Sequence, residues 1–114
     1  MDYNLQNLDN VKELMGDAFE QLVQVYVKNI QIYTDNIIEG FAAQDAEAIK
    51  NSAHPLKSSS RNLCNSQLAE VAEALEDKSK KIIGGELAFT DISTEIEQIP
   101  ALAVQAKDVL SEYL

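Results

Sequence analysis

His54 is the only histidine among 114 residues. If its segment is helical, Lys50 lies four residues before it, Lys57 three after, Ser58 four after and Arg61 seven after, so all share one face. Residues 50–61 hold three Lys/Arg and no Asp/Glu, a local charge of +3 within a chain of net charge −10. The remainder is then −10 − 3 = −13. A basic stripe around a lone histidine suits phosphoryl transfer. The nucleophile must be the neutral imidazole, because the imidazolium has no free lone pair to attack phosphorus. Nearby cations disfavour the imidazolium and then offset the charge of the arriving phosphoryl group. Ser58 and Ser59 are candidate donors to its oxygens. The bland alternative is a surface histidine on a solvated face with chance lysines. Periodicity and charge alone favour that alternative.

Helices must position these residues. Only four Gly and two Pro interrupt the chain, so long periodic segments are expected. A short helix is predicted over Asp9–Met15, with Gly16 as a left-handed stop. Asp17 is expected to cap the next helix, with Glu20 completing a capping box. Phe19, Leu22, Tyr26, Ile30, Tyr33 and Ile37 form its inward stripe up to about Phe41. Asp45 can cap a third segment whose core stripe is Ala46, Ile49, Ala53, Leu56, Ser60 and Leu63, which leaves His54 outside. Asn65 or Ser66 opens a fourth with Leu68, Ala72, Leu75, Ser79 and Ile82 inward, broken by Gly84-Gly85. The last starts near Thr90 or Asp91 and carries Ile92, Ile96, Ile99, Ala103, Ala106, Leu110 and Tyr113. Pro100 is expected to kink or split it. The fold class is therefore all-α: one domain over residues 1–114, an antiparallel up-down four-helix bundle with a short extra N-terminal helix.

The run His54-Pro55-Leu56-Lys57-Ser58-Ser59-Ser60-Arg61-Asn62-Leu63 resembles the signature of histidine-containing phosphotransfer (HPt) domains. That signature reads His, any residue, Leu, Lys, Gly, Ser, Ser or Ala, two variable positions and an aliphatic. Leu68, Ala72, Leu75 and Glu76 resemble its downstream helix, and Ala46, Ile49 and Ala53 fit upstream. The resemblance implies that His54 is the phosphoacceptor, through Nε2, with Lys57 beside the phosphate and Ser59 bonding locally. Lys50 and Arg61 are weaker supporting candidates. It further implies a phosphorelay intermediate exchanging a phosphoryl group with receiver-domain aspartates, or with a hybrid sensor histidine kinase, as a monomer. Mg²⁺ belongs to the receiver, and the chain needs no cofactor or metal of its own. Three positions depart from the pattern. Ser58 stands where Gly leaves room for the receiver, Cys64 stands at a second common Gly, and Pro55 disfavours helical geometry at His54. Ser58 and Pro55 motivate a rival of another class, a helical docking module that binds a receiver or kinase without carrying phosphate. A third possibility is the phosphoacceptor domain of a larger kinase.

Composition narrows the remaining chemistry. A pI of about 4.3 argues against nucleic acid and anionic membrane surfaces, which both require cationic neutralisation. Cys64 is the sole cysteine, so an internal disulfide is not possible, and one His with one Cys cannot make a protein-only zinc site. Cys64 reads better as a small half-buried residue than as a nucleophile. Glu70, Glu73, Glu76 and Asp77 read as a solvated face interleaved with Lys78, Lys80 and Lys81. Tyr26 and Tyr33 read as core. No GxxxxGK loop is present, so autophosphorylation from ATP is not expected. The start, Met1-Asp2-Tyr3-Asn4, lacks a signal-peptide pattern, and no apolar run spans a bilayer. A cytoplasmic or cytoplasm-facing location is the expectation.

Overall fold

The computed structural model describes residues 5–114. The reading of the first four residues therefore lies outside the described part. The regular elements of the described residues are all helices: α1 (Leu5–Met15), α2 (Ala18–Ala42), α3 (Ala46–Asn62), α4 (Ser66–Ile83) and α5 (Ser93–Ser111). A 3-10 turn over Phe89–Ile92 precedes α5. Helix α2 packs on α3 and α5, and α4 packs on the same two, which closes an up-down ring of four. The α3–α4 pair is the most intimate. The result is a rod of 46 × 20 × 20 Å, with α1 set against α2.

One apolar cluster draws buried side chains from all five helices, Leu8 of α1 and Leu110 of α5 among them. The α3 stripe of Ala46, Ile49, Ala53, Leu56, Ser60 and Leu63 is buried as its spacing predicts. On α2 the stripe drifts. Val23 and Thr34 are buried, while Leu22 and Tyr33 are only half-buried, because a 3.6-residue period moves inward positions between three- and four-residue steps. Ile82 and Tyr113 are likewise only partly buried.

The helix ends show why the boundaries fall where they do. Gly16 adopts φ +58°, as a left-handed stop requires. Asp17, however, is not the expected cap. Its backbone is already right-handed helical (φ −63°, ψ −24°) and its side chain caps nothing. Instead the Phe19 N–H donates to the Gly16 carbonyl, so the Asp17–Glu20 capping box does not form. Asp45 accepts from the Ala48 N–H and Asn65 from the Leu68 N–H, each satisfying a donor that the first helical turn leaves free. Before them, Gln44 and Cys64 hold left-handed conformations at φ +54° and +61°. The following N–H then reaches back to the carbonyl of Gly40 in one case and Ser60 in the other, both at 2.8 Å. Helix α1 begins earlier than Asp9, and α5 begins at Ser93, after Asp91 accepts from the Ala88 N–H at 2.8 Å. Neither Pro55 in α3 nor Pro100 in α5 splits its helix.

Candidate functional site

His54 lies midway along α3 on its outer face, with 62% of its side chain exposed. The neighbouring helix α4 meets it there. His54 Nδ1 lies 2.6 Å from Glu76 Oε2, and Lys57 Nζ lies 2.5 Å from Glu76 Oε1. Glu76 itself is buried, its side chain only 7% exposed. A buried carboxylate survives only when its charge is answered. Here burial pushes the Glu76 carboxyl up, but hydrogen bonds from Lys57 and His54, together with their charges, outweigh it. The carboxyl ends below its ordinary value.

This state of Glu76 fixes the proton on the ring. An ionised carboxylate can only accept, so Nδ1 must carry the hydrogen. The lone pair of the neutral ring is then on Nε2, which takes no protein hydrogen bond among the described residues. The tautomer thus follows from a partner nearly a full helix away in sequence. Lys57, 17% exposed, offsets the carboxylate so that the ring is oriented by a pair that is close to neutral.

The other candidates fall around this triad. Ser58 Oγ lies 3.4 Å from the His54 carbonyl, and Ser59 Oγ donates to the Pro55 carbonyl at 2.8 Å. Both hydroxyls therefore contact the backbone of their own helix. Lys50 pairs with Glu47 at 3.2 Å, and Arg61 with Glu73 of α4. The stripe that reads as +3 in sequence is thus matched in space by Glu47, Glu76 and Glu73. Cys64 closes α3 in a left-handed turn, and burial pushes its thiol up.

Glu76 is the residue that sequence reasoning misplaced: it does not belong to a solvated face. A signal existed, since Glu76 stands four after Ala72 and three before Ser79, both of which are buried. Glu73, by contrast, is exposed enough to fit the solvated reading. Among the described residues no cluster of three or more His, Cys, Asp or Glu could hold a metal ion, and no helix is long and apolar enough to cross a membrane.

Comparison with known proteins returns a family model described as Hpt domain, matching residues 21–102. That span runs from α2 to the middle of α5 and contains the His54, Lys57 and Glu76 triad. No curated protein and no solved structure matches the chain.

Proposed function

The chain belongs to the Hpt domain family, helical phosphocarriers of two-component signalling that are not kinases, and on that premise we propose that His54 carries the phosphoryl group as a phosphorelay intermediate. The observation that carries the proposal is the Nδ1–Glu76 bond at 2.6 Å, which leaves Nε2 as the free nucleophile of an exposed ring.

The step balances without an added base. The Nε2 lone pair attacks the phosphorus of a receiver's aspartyl phosphate in line. The N–P bond forms as the acyl P–O bond breaks, and the electron pair returns to the aspartate carboxylate. The ring keeps its Nδ1 proton and so gains positive charge. Glu76, already hydrogen-bonded to that proton, stabilises the charge as it develops. In this reading Lys57 turns from Glu76 toward the phosphoryl oxygens, with Lys50 and Arg61 as outer supporting charges and Ser58 as a donor. The reverse reaction follows the same path: the cationic phospho-ring is a good leaving group for a second receiver's aspartate. Mg²⁺ and most of the electrostatic catalysis come from the receiver. A receiver domain or a hybrid sensor kinase is the partner class.

The test is transfer of label from phosphorylated receivers to wild type and to His54→Gln. The proposal expects label on wild type only, stable to alkali and lost in acid. If receivers bind both proteins equally and neither takes label, the chain is a docking module instead.

A further inference from the structure

On the flank away from the histidine, α2 and α5 part to leave a groove of about 340 Å³. Its walls are mostly apolar, with Ile38 on α2 facing Pro100 and Val104 on α5. Val104 is 55% exposed, high for a valine beside a core. Thr34 also opens onto the groove. It is 6% exposed, and its Oγ1 has no hydrogen-bond partner among the described residues. A buried hydroxyl without a partner costs free energy that folding does not recover, so it calls for an explanation. At the rim stand Asp35 and Glu39. Neither meets a cation among the described residues. Asp35 accepts only from the Gln31 amide, and Lys107, which lines the α5 side of the same groove, donates to that glutamine's carbonyl.

We propose that this groove is a docking site for a cationic amphipathic segment of a partner protein. Its apolar side chains would lie against Ile38, Pro100 and Val104, a donor would reach Thr34 Oγ1, and Lys or Arg would meet Asp35 and Glu39. Charge complementarity selects this occupant: an apolar trough whose rim carries two carboxylates against one lysine, on a chain of net charge −10, disfavours acidic segments and attracts basic ones. Arginine fits best, because its stem covers apolar surface while its fork serves carboxylates. The groove lies between α2 and α5, whereas His54 is on α3 and Glu76 on α4. Occupation therefore leaves the imidazole open, and the site stands or falls independently of phosphoryl transfer.

The test uses a fluorescent helical peptide with leucine on one face and arginine on the other, titrated by anisotropy at physiological salt. Val104→Asp is the discriminating variant, because it adds negative charge while spoiling the trough. Groove docking expects it to weaken binding by about tenfold or more. Thr34→Val should weaken binding about threefold, the share of one hydrogen bond, yet raise the melting temperature by removing an unmet hydroxyl. The proposal is overturned if wild type does not bind, or if Val104→Asp binds as well as or better than wild type, which would be attraction to net charge alone. It is equally overturned if Thr34→Val changes neither affinity nor melting temperature.

Discussion

Three side chains decide what the site can do, and two of them are visible in the chain's own motif. His54 and Lys57 stand out by type and spacing. Glu76 does not, because the property that matters, burial against α3, is made only when α4 packs. Its depressed carboxyl has a consequence for acid stability. A group whose folded value lies below its ordinary value of 4.5 contributes fully above that value, and the contribution is lost as pH falls through the folded value. Wild type should therefore lose stability on acidification in a window that Glu76→Gln flattens, as read by thermal melts from about pH 6 to about pH 3. The same variant should slow transfer without abolishing it, since the amide can still accept from Nδ1 but carries no charge to meet the cationic ring. Lys57→Ala should slow transfer while the bundle stays folded; an unchanged rate, measured on protein with a native melt, would remove Lys57 from the mechanism.

At the scale of helices, the sequence was most legible where a side chain does the capping and least legible where the backbone does. Asp45 and Asn65 are readable as caps and act as caps. Gln44 and Cys64 are not readable as left-handed turn residues, because neither is glycine, yet both hold that conformation. An L residue there costs roughly 1–2 kcal/mol, partly offset by the smaller entropy it loses on folding. Gln44→Gly, at an exposed position, should stabilise the protein by about 0.5–1 kcal/mol in denaturant titrations. Cys64→Gly should gain less, because the Cys64 side chain packs against the core. The opposite change is expected at Gly40. A Cβ built there would sit 3.0 Å from Ile49 Cγ1 and 3.3 Å from Ala48 Cβ, so Gly40→Val should cost about 1–3 kcal/mol by forcing α2 from α3. Asp17 failed as a cap for a plain reason: the chain had already entered helical geometry, so its carboxylate no longer faces the free donors.

Across the whole molecule, the bundle was readable because four amphipathic stripes with short links admit few other packings. A buried polar link was not readable. Tyr26 of α2 bonds Ser60 of α3 at 2.7 Å, and Asn65, the cap of α4, reaches the same phenol at 3.4 Å. Three helices thus meet at one hydroxyl, beneath the half of α3 that follows His54. Burial pushes the Tyr26 phenol up to about 12 against smaller opposing effects from Ser60 and Asn65. The neutral phenol is favoured by the fold, so its contribution is complete below its ordinary value of 10 and is lost as pH rises toward 12. Tyr113, pushed up to about 12 by burial and by the Asp9 and Glu112 carboxylates, adds to the same alkaline loss. Tyr26→Phe should therefore shrink the alkaline limb of the stability profile without erasing it.

Phosphoryl transfer through Nε2 of His54 can be read from the nitrogen spectrum of the single imidazole. Protein labelled with ¹⁵N at histidine is recorded before and after phosphorylation by a phosphorylated receiver. The expected result is the Nδ1–H tautomer beforehand and phosphorus bonded to Nε2 afterwards, with the Nδ1 proton retained. A phosphoryl group on Nδ1, or one carried on a serine with His54 unchanged, would contradict it.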